Sequence, residues 1–273
     1  LSEMHELAKE VVVNQIAVPG VQAKLSLMDE TIAKEQGKRL TVIGALGGYY
    51  IFKPPSDFYP EMPENEHLTM KIAAELGIHT VPSSLIRLNS GELAYITKRI
   101  DRTIDGHKIH MLDMFQITEA VDKYKSTMER VGKALEQYSA DTLLDKLKLF
   151  ELTIFCFLTG NNDMHLKNFS MILSNGNWVM APAYDLLNVN LANPKDKEEL
   201  ALSLEGKKRK FSKVHFEKFG ATLGLNYKQI QGVFRRFETN KTNIQHLINL
   251  SFLSEESKDT YWKIVEKKFK ALN

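Results

Sequence analysis

The feature that most limits the fold is a change of pattern about a third of the way along the chain. Before it, short apolar or alternating runs are punctuated by Gly and Pro, which is how strands read. A turn beginning at Ala17 leads into a strand through Leu27. Leu40–Ile43 and Tyr49–Phe52 follow, with Gly44, Gly47 and Gly48 expected to form a hairpin between them. Pro54-Pro55 stops the second of these, and Ser84–Leu88 and Ala94–Thr97 are further strands. One prominent helix interrupts the series, Glu64–Leu76: its Leu68, Ile72, Ala73 and Leu76 share a face, and Gly77 ends it. Ser2–Val13 reads as a shorter helix with Ser2 as its cap.

From Met111 the pattern is mostly helical. Asp141–Leu158 is long and strongly apolar, as suits a helix buried in a core, and helical periods recur over Ser212–Leu223, Tyr227–Glu238, Asn240–Leu250 and Ser254–Lys270. Phe169–Leu173 and Trp178–Met180, joined by Asn175-Gly176, read as a hairpin. The expectation is a two-lobed α/β (α+β) protein, with a β-rich lobe over residues 1–102 and a helical lobe over 103–273.

The chain has 273 residues, enough for a large core in one or two lobes. A formal net charge of +2 gives no argument for a nucleic-acid surface, so direct nucleic-acid binding is not expected. No apolar run reaches the ~18–20 residues of a membrane span, so no membrane association is expected. The stretch from Leu1 to Glu10 does not read as a signal peptide. The single cysteine, Cys156, lies in an apolar run and reads as buried. It allows no internal disulfide, which fits a reducing compartment and a cytoplasmic location.

The most specific chemistry lies in Gly160-Asn161-Asn162-Asp163-Met164-His165-Leu166-Lys167-Asn168-Phe169-Ser170, followed by Tyr184-Asp185. Asp163, Asn168 and Asp185 stand in the order that a protein-kinase-like site uses. One Asp orients an acceptor hydroxyl, an Asn holds Mg²⁺, and a later Asp holds Mg²⁺ bridging nucleotide phosphates. Alone, Asp163 reads more readily as a loop cap, and it is the combination with Asn168 and Asp185 that points to chemistry. Between these residues, His165 could brace the Asp, contact phosphate or be a structural histidine. Lys167 could offset charge on a transferred phosphoryl or be a solvated lysine.

Lys53 ends a strand and is a candidate for gripping α/β-phosphates, with Glu66 at the start of the next helix as its ion-pair partner. Glu66 is also what a first-turn acid favoured by the helix dipole would look like. The turn Gly20-Val21-Gln22-Ala23-Lys24 could cover phosphates with backbone N–H groups, although it matches neither a G-x-G-x-x-G loop nor a Walker A motif. The basic run Lys207-Lys208-Arg209-Lys210 reads first as a solvated loop and only second as an RNA- or acid-facing patch.

Taken together, Gly20–Lys24, Phe52-Lys53-Pro54, Asn65-Glu66, Arg99-Ile100-Asp101-Arg102, the string from Asp163 to Ser170, and Pro182-Ala183-Tyr184-Asp185 resemble HipA-type serine/threonine kinases. In layout the chain is most similar to the short HipT type, which lacks the N-terminal subdomain of the long HipA proteins. The resemblance implies a two-lobed, protein-kinase-like fold with ATP and Mg²⁺ as cofactors. It also implies roles. Asp163 would be the catalytic base, with Lys167 assisting. Gly20, Val21, Gln22, Lys24, Lys53 and Glu66 would serve the phosphates. Lys98, Arg99 and Ile100 would line the adenine hinge. His165, Asn168, Tyr184 and Asp185 would bind nucleotide, Asn168 and Asp185 through metal.

Known members phosphorylate aminoacyl-tRNA synthetases at a serine and act as toxins held by an antitoxin, often a helix-turn-helix DNA-binding protein. Two departures stand out. Ala17-Val18-Pro19 offers no serine where the family carries an autophosphorylated one, and Asp185-Leu186-Leu187 has no glycine after the metal Asp. Two rival readings use the same residues: a small-molecule phosphotransferase on this scaffold and a nucleotide-binding pseudokinase regulator.

Overall fold

The computed structural model describes residues 25–31, 38–43, 48–103 and 105–273. The chain divides into two compact units. One takes residues up to His67 together with Val81–Ile109, and the other takes Leu68–Thr80 with His110–Asn273.

The first unit is built on an antiparallel sheet of β1 (Leu25–Thr31), β2 (Lys38–Ile43), β3 (Tyr50–Lys53), β4 (Ser83–Arg87) and β5 (Leu93–Lys98), in the order β2-β1-β3-β5-β4. This corrects the expected hairpin between β2 and β3. Each pairs with β1 instead, Ser26 standing opposite Ile43 on one side and Ile51 on the other. Gly48 does take the left-handed backbone expected of a turn, with φ of 78°. On the other side of β3, Lys53 stands opposite Tyr95 of β5. Ala94 and Tyr95 are wholly buried, so this end of the sheet is apolar around the lysine stem.

Helix α1 (Met62–Glu75) follows β3 and continues from the first unit into the second. Its Leu68, Met70, Ile72 and Ala73 are buried together with Leu76. It ends at Gly77, where φ of +79° lets the Ile78 N–H donate back to the Ala73 carbonyl at 3.0 Å.

The second unit opens on β6 (Met111–Asp113), within a stretch expected to be helical; three residues are too short for a period to show. It pairs with β7 (Ser170–Ser174), which pairs with β8 (Asn177–Met180) in a small antiparallel sheet. Asn175 and Gly176 both hold positive φ, 49° and 80°, as a tight hairpin turn requires. Helices α2 (Met114–Ile117), α3 (Met128–Tyr138), α4 (Thr142–Thr159), α5 (Val189–Ala192), α6 (Lys213–Thr222), α7 (Tyr227–Thr239), α8 (Lys241–Leu250) and α9 (Glu255–Leu272) complete the described elements.

The organising element is α4, buried at every residue from Leu152 to Thr159 and packed on by α3, α6, α9 and β8. Phe150 and Phe157 lock it into an aromatic cluster with Phe211, Phe216, Phe219 and Phe234. Cys156 is buried in this helix, and burial holds its thiol well above the ordinary pKa. Asp145, one turn in, takes a 2.6 Å hydrogen bond from the Met180 N–H and so fastens β8 to the helix. No helix among the described residues is long and apolar enough to cross a membrane.

Candidate active site

Helix α4 delivers the chain to the motif. It ends at Gly160, whose φ is +69° and where a Cβ would lie 2.9 Å from both Asn188 Oδ1 and Asn190 Oδ1. A side chain there would press on both asparagines of the segment that follows Asp185, and the positive φ itself favours glycine. The same carbonyl, Gly160 O, accepts from the N–H groups of Val189 and Asn190, at 3.0 and 3.2 Å. The loop after α4 and the stretch after Asp185 are thus tied at one residue.

Within the loop the bonds are local and polar. Asp163 N–H donates to Asn161 Oδ1 (3.3 Å), and His165 N–H donates to the Asp163 carbonyl (2.8 Å). A single 3-10 turn, Leu166–Asn168, then faces Asn168 back toward Asp163. The Asn168 amide Nδ2 donates to the Asp163 carbonyl at 3.1 Å. That bond decides which way the amide points: its nitrogen is used inside the loop, and its Oδ1 is the atom presented elsewhere.

Asp163 is half-buried and Asn168 buried, while Lys167 is exposed with its Nζ over the Phe115 ring at 4.8 Å. His165 is buried, and that burial is the main influence lowering its pKa; the Asp163 charge acts the other way. The imidazole Nδ1 has no hydrogen-bond partner among the described residues, nor do Asn161 Nδ2 and Asn162 Oδ1.

Asp185 sits in the left-handed region at φ of 59°, rare for a residue with a side chain. Just before it, Tyr184 Oη donates to the Lys167 carbonyl (3.0 Å) and shares a 2.5 Å hydrogen bond with Ser170 Oγ. Tyr184 therefore clamps the catalytic-loop candidate to β7 through its hydroxyl, and burial raises its pKa. The backbone of Ala183 is fixed from the other side, its N–H donating to the His79 carbonyl at 2.8 Å.

In the first unit, Lys53 Nζ lies 2.7 and 2.8 Å from the two carboxylate oxygens of Glu66. Lys53 is 4% exposed and Glu66 2%. The expected strand-to-helix pair is therefore formed, and it is buried. At the expected hinge, the Lys98 N–H donates to the Pro82 carbonyl and the Arg99 N–H to the Tyr49 carbonyl, at 2.9 and 2.7 Å. The Arg99 guanidinium forks onto Asp101 at 2.9 and 2.7 Å, and these partners hold the Asp101 carboxyl below its ordinary pKa against the opposing effect of burial. Gly20, Val21, Gln22 and Lys24 lie outside the described residues, as do the expected Ser2–Val13 helix and Ala17-Val18-Pro19.

Two residues at the loop escaped sequence reasoning. Tyr124 Oη donates to Asp163 Oδ1 at 2.7 Å. Asp113, the N-cap of α2, has its carboxyl pKa raised chiefly by burial, with Lys167 and His165 among the charges that oppose the rise. Neither carries a local signal, because each meets the loop only through the tertiary fold.

The HipA-like C-terminal domain family matches residues 16–244. The chain is 28% identical over 256 residues to a Haemophilus influenzae protein named "Putative kinase", covering 83% of this chain and 75% of that one. It is 24% identical over 212 residues to the serine/threonine-protein kinase toxin HipA of Shewanella oneidensis, which is 70% of this chain but 47% of that protein. Among solved structures, Shewanella oneidensis HipA in complex with HipB and operator DNA aligns over 97% of this chain and 70% of its own, with a TM-score of 0.75 and 20% identity. The Helicobacter pylori proinflammatory kinase CtkA aligns over 91% of this chain and 93% of its own, with a TM-score of 0.62 and 14% identity. These structural likenesses speak for the fold, which is mixed α/β and kinase-like.

Proposed function

Because the chain belongs to the HipA-like C-terminal domain family, we propose that it is an ATP-dependent serine/threonine protein kinase acting through Asp163. The observation that carries this reading is the buried Lys53–Glu66 pair. A buried ion pair is a poor device for stability, since two apolar residues of similar volume would usually do as well or better. A strand lysine held in place by a helix glutamate is, however, what phosphoryl transfer uses to grip the nucleotide phosphates.

The residues of the second unit fit Mg²⁺. Asn168 Oδ1 and the Asp185 carboxylate are hard oxygen donors, and the Asn168 amide is already turned so that its nitrogen is occupied. Among the described residues no three His, Cys, Asp or Glu side chains are placed to hold a metal by themselves. A cation held by Asn168 and Asp185 would take its other ligands from water and phosphate oxygens, as Mg²⁺ habitually does. When bound, Mg²⁺ would neutralise phosphate charge. The chain's own residues would do the rest: Asp163 orients the acceptor hydroxyl and takes its proton, Lys167 offsets charge near the transferred group, and Lys53 holds the phosphates.

We further infer a serine of an aminoacyl-tRNA synthetase as acceptor, a helix-turn-helix antitoxin as partner, and the cytoplasm as location. The likeness to HipA, solved as a complex with HipB and DNA, supports the partner. The test is phosphopeptide mapping after incubation with Mg²⁺-ATP and a bacterial lysate. A new phosphoserine on a synthetase is expected, with labelling reduced about 10³-fold by Asp163→Asn, the size of a lost general base. Equal labelling by a folded Asp163→Asn variant would overturn the assignment. Phosphate on small molecules alone would redirect it to a small-molecule phosphotransferase.

A further inference from the structure

Tyr124 contacts Asp163 across 39 residues of sequence, its Oη donating to Oδ1 at 2.7 Å. The tyrosine is 37% exposed, and its inner side is held at several points. The carbonyl of the preceding Lys123 accepts from the Leu166 N–H at 3.1 Å, inside the same loop that carries Asp163. The Tyr124 N–H itself donates to Asp122 Oδ1 at 2.9 Å. Its ring meets the His165 imidazole edge-on, with centroids 5.0 Å and planes 80° apart. Burial first, and then the bond to Asp163, raise the phenol pKa above its ordinary 10.0, so the hydroxyl keeps its proton and remains a donor.

A carboxylate turns about a broad, roughly two-fold terminal torsion. A base that must meet one proton along one line is slowed by that freedom. Resting on the kinase reading above, we propose that Tyr124 is a positioning residue, which holds one oxygen of Asp163 so that the other faces the acceptor hydroxyl. The ties around it make it a fixed brace and set it apart from an acceptor, which has to come and go.

The test measures steady-state transfer from radiolabelled Mg²⁺-ATP, with myelin basic protein as the acceptor probe. It compares wild type, Tyr124→Phe and Tyr124→Leu, and Tyr124→Phe in an Asp163→Asn background. Tyr124→Phe keeps the ring on His165 and loses only the hydroxyl. It should lower kcat about tenfold or more, the range for a hydrogen bond to a charged group. The KM for ATP and the thermal midpoint should stay where they are. In the Asp163→Asn background the same change should cost nothing further, since the two residues act as a unit. Full kcat in Tyr124→Phe with loss only in Tyr124→Leu would show a packing role and overturn the proposal. Phosphate on Tyr124 in the wild type would also overturn it, by making the tyrosine an acceptor. An active wild type with an equally active Tyr124→Phe removes this inference alone. A wild type silent toward the probe and the lysate removes the kinase reading and this inference together.

Discussion

The Lys53–Glu66 pair and the loop after α4 are both buried and polar, and they solve burial in opposite ways. Lys53 and Glu66 are each almost wholly enclosed and meet through two short bonds, 2.7 and 2.8 Å. In the loop, Asn161 Nδ2, Asn162 Oδ1 and His165 Nδ1 are buried with no hydrogen-bond partner among the described residues. Native proteins rarely leave such groups unmatched, and those that remain cluster where a ligand or water is to be met. The pair is thus matched charge for charge, lysine against glutamate. The loop is an arrangement whose polar atoms outnumber their internal partners.

This contrast can be broken most directly at Lys53. Lys53→Met takes the lysine's charge from beside the buried Glu66 carboxylate, and it should destabilise the fold by roughly 3–5 kcal/mol in denaturant unfolding. Adding Glu66→Leu should restore most of the stability and none of the transfer. A Lys53→Met protein as stable as wild type would show that the pair adds nothing to stability. A smaller effect is expected in the loop. Asn161→Ala removes an unmatched amide along with the long 3.3 Å bond from the Asp163 N–H. Stability should stay within about 1 kcal/mol of wild type, because the burial cost of that amide goes too, while transfer falls. A large loss of stability would mean that the loop is as closely matched as the pair.

The smallest effect belongs to a second buried lysine, Lys268, which bonds Glu199 at 2.5 Å and lies over the Phe157 ring at 4.5 Å. Burial lowers its pKa from the ordinary 10.5, although Glu199 opposes the drop. Between that lowered value and 10.5, the unfolded chain keeps a proton that the folded one has released. Stability should therefore rise with pH across this alkaline window. Lys268→Met should flatten that rise in denaturant melts taken at a series of pH values. An unchanged slope would show that other groups produce it.

How legible these regions are in the sequence follows from how local their determinants are. Helix α4, the β7–β8 turn and the Leu68–Leu76 stripe of α1 are written in short periods and turn residues, and they stand where those periods put them. Strand partnership is not local. Nothing in residues 40–52 reveals that β1 separates β2 from β3, and glycines between two strands suggest a hairpin whichever neighbour each strand takes. The same division holds at the site. Asp163, Asn168 and Asp185 are picked out as candidates by spacing within one stretch of chain. Tyr124 and Asp113 reach the loop from elements whose sequences carry no mark of it, and only the fold brings them there.

Asp185 has one more consequence, for how this sequence can drift. Its backbone is held at φ of +59°, where a side chain costs roughly 1–2 kcal/mol and glycine almost nothing. Of all replacements there, glycine would relax the backbone most and would remove the carboxylate. A lineage selected only for robustness would be drawn toward that exchange, and one selected for phosphoryl transfer would be barred from it.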